Sequence, residues 1–362
     1  MRRLLPVLLL ALGLGPVGHA QELPSALVAS GSPRPAHVSL ETIYQRFSDD
    51  DASISEVSVP LSLYLPLGKS LSVSLRSNYA SVSGDGLETT SGIGDVQITT
   101  SYFQQLGAAS LVASLGLNAT TGASALSFEE FRTATLASQT VYDLRVPTFG
   151  QGIRIAPALT LAFPAGDRAA LGVGLAYHYR GPYEPLRDIS DQYDPGEEVL
   201  LTAGADVQLG EASAASVDLS VGLNGQDTWR GLSYEPGTSF AATAQYLLGF
   251  GFHQVRAVVR YHARGEGEVF EAAVPAEAVV PTQLQFFVDG RYEVNPEVRV
   301  GALARVRTYG ESVLFPERQT LFDLGLAPEW SATDRVEVVG RFVYTLGGFS
   351  GLTVGGGIRA AF

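Results

Sequence analysis

Along most of this chain apolar and polar residues take turns. Leu71, Val73 and Leu75 alternate with Ser70, Ser72, Ser74 and Arg76, and Val96, Ile98 and Thr100 with Gln97, Thr99 and Ser101. A period of two belongs to the β-strand, whose successive side chains point to opposite faces, so each segment predicts a strand with one apolar face. The pattern recurs at Leu111/Ala113/Leu115/Leu117, Ile153/Ile155/Leu159/Leu161, Leu171/Val173/Leu175, Val199/Leu201/Ala203/Val207 and Val217/Leu219/Val221/Leu223. It continues through Phe240/Ala242/Ala244/Tyr246, Val255/Ala257/Val259/Tyr261, Leu284/Phe286/Val288, Val298/Val300/Ala302, Phe322/Leu324/Leu326 and Val336/Val338/Phe342. The last segment carries Leu352, Val354, Gly356, Ile358, Ala360 and the terminal Phe362, the look of a closing strand of an outer-membrane barrel.

The connections alternate too. Short turns are expected at Pro66-Lys69, Gln105-Ala108, Pro164-Arg168, Gly210-Ser213, Gly249-His253, Asn295-Pro296 and Ser331-Asp334. Longer loops are expected at Ser83-Gly94, Thr121-Gly150, Gly181-Gly196, Gly225-Gly237 and Gly265-Val279, with shorter ones near Ser48-Ala52, Gly310-Arg318 and Leu346-Ser350. Together they join about sixteen strands, an even number that places both termini in the periplasm; fourteen remains if the first pair lies outside the wall. The expected fold is all-β, a transmembrane antiparallel up-and-down barrel over 37–362.

Aromatic residues support this reading. On the lipid-facing register Tyr102, Phe163, Tyr246, Tyr292, Trp330 and Phe362 sit beside short turns, and Tyr79, Tyr177, Tyr179, Tyr261 and Tyr344 beside long loops, as two interfacial belts would. A propeller would show repeats of about 40 residues, and none is evident. At the other end, Met1-Arg2-Arg3, the apolar run Leu4 to Leu14 and Gly18-His19-Ala20 read as a signal peptide cleaved after Ala20. The run is broken at Gly13, Gly15 and Pro16, short of the roughly 18 residues of a membrane helix. Residues 21–36, with Pro24, Pro33 and Pro35, read as a periplasmic tail or a lumen plug.

Composition removes several classes. With no Cys there is no disulfide, thiol nucleophile or thiolate metal site. The formal charge of −13, which becomes −15 once Arg2 and Arg3 leave with the leader, argues against nucleic acid. The only His residues past the leader are His37, His178, His253 and His262, and none sits in a recognisable nucleophile, zinc or nucleotide motif. No enzyme and no cofactor is expected.

Three short motifs carry a resemblance. Ser91-Gly92-Ile93-Gly94-Asp95-Val96 enters a strand, Asn118-Ala119-Thr120-Thr121-Gly122 leaves one, and Phe163-Pro164-Ala165-Gly166-Asp167 makes a turn. In these and in overall layout the chain resembles the outer-membrane transporters of the phenol meta-degradation pathway. The resemblance implies a transport barrel for small apolar or aromatic compounds.

Function would be written on the inward register, which holds Arg154, Arg256, Arg260, Arg264, Arg291, Arg299, Arg305, Arg307, Arg341 and Arg359, most of them in the C-terminal half. Asp206, Asp218, Asp289, Glu293, Asp323, Glu329 and Glu337 share it. Two outcomes are open: a structural lattice of Arg–carboxylate pairs, or a basic wall that guides anions past an acidic one. Tyr177-His178-Tyr179-Arg180-Gly181 and Tyr261-His262-Ala263-Arg264-Gly265 repeat one motif at strand ends that rise to long loops. Either they give two mouths matching His/Arg pairs, or they combine a belt aromatic, a snorkelling cation and a turn glycine. Ser127 to Leu136, with a capping Ser, two acids in the first turn and helical spacing, predicts a short helix, either folded over or into the pore or exposed on the loop with no gating role. The acidic runs Ser48-Asp49-Asp50-Asp51 and Asp188 to Asp194 lack the spacing of a calcium loop.

The sequence therefore leads to a passive outer-membrane channel for small solutes, restricted by the Thr121 to Gly150 loop. The alternative is a non-transporting surface protein with a plugged lumen. Outer-membrane lipid and lipopolysaccharide, a small-molecule solute and the barrel-assembly machinery, through the C-terminal strand, are the expected partners.

Overall fold

The computed structural model describes residues 35–49, 52–146, 149–251, 253–269, 275–276, 280–312 and 315–362. The expected leader and nearly all of the expected tail lie outside them. In chain order come β1 (His37–Ser48), β2 (Ser53–Leu67), β3 (Leu71–Gly84), β4 (Leu87–Ile93), β5 (Val96–Leu106), β6 (Ala109–Ala119) and helix α1 (Phe128–Ala137). Next are β7 (Arg154–Pro164), β8 (Ala169–Arg180), β9 (Tyr193–Asp194), β10 (Glu198–Gly210), β11 (Ser213–Asn224), β12 (Asp227–Trp229), β13 (Leu232–Glu235), β14 (Ser239–Phe250) and β15 (His253–Arg264). Last are β16 (Gly267–Val269), β17 (Pro275–Ala276), β18 (Gln283–Asn295), β19 (Val298–Tyr309), β20 (Gln319–Thr333), β21 (Val336–Gly347) and β22 (Ser350–Ala361).

The long strands pair antiparallel with their neighbours in sequence and close into a barrel of sixteen. Closure is made by β1 on β22, in register from His37 opposite Ala361 to Ser48 opposite Ser350. That pairing satisfies the last free strand edges, the condition for a sheet to stand in hydrocarbon. One wall position is shared by two strands: β4 pairs with the loop end of β3 and β5 with its turn end, with a break at Gly94 and Asp95.

Outward positions are large and apolar. On β8, Leu171, Val173, Leu175, Tyr177 and Tyr179 are exposed while the inward Gly172, Gly174 and Ala176 are half-buried; on β20, Leu324 is 60% exposed and Leu326 53%. A continuous apolar belt of this kind is stable only against lipid. Both aromatic girdles are present, except that Phe163 is half-buried rather than exposed. His253 joins the turn-end girdle by stacking on Tyr292, with ring centroids 4.5 Å apart and planes 9° apart.

Seven tight turns close one end, and Gly68, Gly107, Gly166 and Gly251 take positive φ at four of them. At the loop end two expectations are corrected. The segment Ser83-Gly94 is not a long loop, because β3 runs to Gly84 and β4 starts at Leu87, leaving a two-residue turn. Here the strand has passed beyond the lipid belt, so Leu87-Glu88-Thr89-Thr90-Ser91 has no reason to alternate. The loops expected after Gly181, Gly225 and Gly265 are also partly structured. They pair β9, β12, β13, β16 and β17 into a second, small sheet over that end of the barrel.

Candidate functional site: a lumen narrowed from one side

Sixteen strands spaced about 4.8 Å and tilted about 40° enclose a ring roughly 32 Å across. Side chains alone do not fill such a ring, so the path through it is set by whatever folds inward. That element is the β6–β7 connection. Helix α1 starts where expected, with Ser127 as N-cap in a full capping box: Ser127 Oγ accepts from Glu130 N at 3.1 Å and Glu130 Oε2 from Ser127 N at 2.7 Å.

Beyond the helix the chain lies against the inner faces of β1, β2 and β19. Arg307 Nη1 donates to Val141 O at 3.2 Å, and the Tyr309 hydroxyl to Thr140 O at 3.0 Å. Gln45 donates through Nε2 to Asp143 O at 3.2 Å and accepts from Arg145 N at 2.7 Å. Glu56, fully buried, accepts from Val146 N at 3.1 and 3.3 Å. Val141, Leu144, Val146 and Phe149 pack into a cluster with Phe47, Ile54, Val82, Leu321 and Phe349 of the wall and rim. On the far side, Phe131 packs with Leu126, Leu186, Tyr193 and Trp229 beneath the small sheet.

The neck of this insert is built from two of the sequence motifs. Asp95 Oδ1 accepts from Gly122 N at 2.9 Å, while Oδ2 accepts from Gln151 N at 3.0 Å and from Asn118 Nδ2 at 2.8 Å. Thr121 Oγ1 accepts from Val96 N at 2.9 Å and donates to Gly94 O at 3.2 Å. One carboxylate thus ties both ends of the loop to the break in the wall. The two ends pass so close that a Cβ on Gly122 would lie 2.0 Å from Phe149 O.

The inward arginines divide into groups. At the loop end of β19, Arg305 and Arg307 share Asp323, with Nε to Oδ2 distances of 2.6 and 2.8 Å, and Arg305 also reaches Asp143 of the insert at 2.9 Å. At the turn end, Glu329 lies 2.5 Å from Arg291, 3.4 Å from Arg299 and 3.7 Å from Arg359, and Arg299 also pairs with Glu337. Those two groups are the lattice. Arg341, half-buried on the same side, lies within the electrostatic reach of Glu41, Asp143, Arg145 and Arg359.

Farther round, Arg256 pairs with Asp289 at 2.9 Å, and the guanidinium groups of Arg256 and Arg260 stand 5.5 and 5.4 Å from the centre of the Phe287 ring. Arg260 is exposed inside the barrel. Opposite the insert most inward side chains are small and uncharged: Ser114, Gly116, Thr160, Gly172, Gly174, Thr202, Ser216 and Ser220 face inward and keep partial exposure. Asp206 and Asp218 stand on this wall.

The repeated Tyr-His-x-Arg-Gly motifs do not make two separate mouths, because one carboxylate stands between them. Asp227, on β12, accepts from the Tyr193 hydroxyl at 2.5 Å and from Gly196 N at 2.6 Å; Arg180 Nη2 lies 3.9 Å away, and Arg264 adds its charge from β15. Burial pushes the Asp227 carboxyl above its ordinary value, against the lowering effect of Tyr193, Arg180, the Gly196 amide and Arg264. Beside it, His178 Nδ1 lies 2.8 Å from Arg154 Nη2 and 2.9 Å from Glu198 Oε2. Both contacts fall on the one nitrogen, which without its proton accepts from the Arg154 guanidinium and with it donates to the Glu198 carboxylate. The sequence gives no sign of Asp227, whose loop carries no periodic signal, and it marks Asp95 only as part of a strand-entry motif, since its role depends on contacts with Asn118, Gly122 and Gln151.

Belt, closure and polar interior together define a transmembrane β-barrel of the outer-membrane type. No known protein family and no curated relative matches the sequence. Among solved structures the chain is similar to OprB of Pseudomonas putida at high pH, with 12% identity and a TM-score of 0.48 over 91% of this chain and 94% of that one. It is also similar to a loop-deleted OmpT, an outer-membrane protein of Vibrio cholerae, with 14% identity and a TM-score of 0.46 over 90% and 98%. An outer-membrane channel from Pseudomonas putida F1 shares 15% identity with a TM-score of 0.43 over 65% of this chain and 90% of that one. At these identities the likeness is one of fold.

Proposed function

We propose that this barrel is a passive outer-membrane channel for small solutes, narrowed from one side by the β6–β7 insert. The observation that carries the reading is the asymmetry of the lumen. Glu56, Ala80, Val82, Arg307 and Tyr309 are fully buried under the insert, whereas on β6 to β11 the inward Ser114, Gly116, Thr160, Gly172, Gly174, Thr202, Ser216 and Ser220 are small and partly exposed. A solute would pass between this smooth wall and the insert. Asp206 and Asp218 would lie on one side of it and Arg256 and Arg260 on another, an arrangement that sorts ions by charge. The apolar belt would meet outer-membrane lipid and lipopolysaccharide, and the closing strand β22 would address the chain to the barrel-assembly machinery. The resemblance to transporters of the phenol meta-degradation pathway agrees with small-molecule passage and leaves the substrate to experiment.

The test is conductance of the refolded mature chain in a planar bilayer, with ion selectivity from the reversal potential. Discrete steps, with anion preference lowered in Arg260→Ala, support the channel. A second reading draws on the two buried clusters at the loop end: a sealed barrel whose outer loops bind a partner. A folded barrel with no conductance at any voltage would favour that reading and overturn the first.

A further inference from the structure

The loop-end rim stands apart from the rest of the inner wall in how its arginines are held. At β19–β20 Arg305 and Arg307 grip Asp323 at 2.6 and 2.8 Å, and at the turn end Arg291 and Arg299 reach Glu329 at 2.5 and 3.4 Å, whereas at the rim Arg180 stands 3.9 Å from Asp227. Under the small sheet, three arginines, Arg154, Arg180 and Arg264, share Glu198 and Asp227, and His178 and His262 stand among them. Register and contacts bring these groups together. Arg154 is opposite Arg180 across β7–β8, and Glu198 is opposite His178 across β8–β10. Arg180 Nε donates to Gly196 O at 2.8 Å, and Gly196 N donates to Asp227. Asp227 faces Tyr234 across β12–β13, and Gly267, three residues after Arg264, packs against the Tyr234 ring.

The donors here are also incompletely used. Arg154 Nε, Arg180 Nη2 and Arg264 Nε are buried without a hydrogen-bond acceptor among the described residues; Arg299 Nε at the turn end is too, but it stands 3.4 Å from the Glu329 carboxylate. A buried charged donor left without an acceptor is costly, and three in one neighbourhood mark a place short of negative charge. All three residues keep part of their surface open and lie on the inward register, so what reaches them comes through the lumen.

We infer that Arg154, Arg180 and Arg264, with His178 and His262, form a binding subsite for a small oxyanion, a carboxylate or a phosphate, at the loop end of the lumen. The inference rests on the channel reading and names the charge class of solute it holds. Guanidinium forks match the paired oxygens of these groups in a way that halide does not. The site would hold the anion before it reaches Arg260 and Arg256 deeper on β15.

Trp229, two residues from Asp227 and buried, is a reporter, and Trp330 is the only other tryptophan in the chain. The experiment uses the full mature chain carrying Trp330→Phe, folded in detergent. It is titrated with inorganic phosphate and separately with acetate, at ionic strength held constant with chloride, and followed by calorimetry and Trp229 emission. Saturable heat with a parallel emission change, weakened at least tenfold in Arg264→Gln, is the expected result. No saturable heat with either anion, or binding that Arg264→Gln leaves unchanged, overturns the subsite. Because neither readout needs ion flow, a protein that binds phosphate but does not conduct would remove the channel and keep the site. One that conducts but does not bind would do the reverse.

Discussion

Arg307→Met asks whether the insert is held in place by the wall. The side chain is fully buried, and it spends Nε and Nη2 on Asp323 at 2.8 and 3.0 Å and Nη1 on Val141 O and the Tyr309 hydroxyl, both at 3.2 Å. Methionine keeps much of the volume and none of the donors. Asp323 is not abandoned, since Arg305 at 2.6 Å and Thr345 Oγ1 at 2.7 Å still donate to it. The loss therefore falls largely on the insert, which forfeits a charged hydrogen bond worth about 1.5–3 kcal/mol. That shifts the balance between docked and released insert by roughly ten- to a hundredfold. The contacts of Thr140, Asp143, Arg145 and Val146 remain and hold the docked state in the majority. Single-channel recording should show brief excursions to a larger conductance, and limited proteolysis should cut within 138–149 faster. The barrel itself should keep its heat-modifiable migration on gels. Folded Arg307→Met barrels with wild-type conductance, noise and protease resistance would show that this contact does not set the position of the insert.

Three further outcomes are expected. Leu175→Arg, at an exposed mid-strand position on the lipid face, should lower unfolding stability in lipid vesicles by about 2–4 kcal/mol, whereas the neighbouring inward change Ala176→Ser should have little effect. Ser127→Ala removes one half of the capping box and should destabilise α1 by about 0.5–2 kcal/mol, read as faster amide exchange over residues 128–137. The carboxyl of Asp227, faced by Tyr183, Tyr193, Tyr234, Arg180 and Arg264, binds a proton more readily in the folded sheet than in an unfolded chain. Its contribution to the small sheet is thus greatest below the ordinary Asp value and is lost as pH rises through the raised one. Amide exchange in β9 and β12 should quicken over that interval, and Asp227→Asn should flatten the dependence.

Strand register, turn positions and the lipid face were legible because they follow from a local period of two, which lipid on one side enforces at every stave. The capped helix was legible for a similar reason: Ser127 and Glu130 lie one turn apart in sequence. Where lipid stops, the signal stops. The Leu87–Ile93 strand reads as loop because neither of its faces meets hydrocarbon, and the small sheet is made of strands only two to four residues long, drawn from three loops. The inward arginines could be placed on a face but not sorted. Only the structure separates Arg305 and Arg307, whose donors are taken up by Asp323 and the insert, from Arg154, Arg180 and Arg264, each of which keeps a buried donor without an acceptor among the described residues.

The joined ends of the β6–β7 insert make it a cassette. With Gly122 and Gly150 in backbone contact and both ends tied through Asp95, residues 123–149 leave the wall and return to it at one point. Excising them and bridging the gap would leave every stave continuous in sequence, though it would uncover Glu56, Val82 and Arg307, and a foreign segment whose ends meet could take their place. The barrel could then keep its outline while its bore and chemistry are exchanged as a single part.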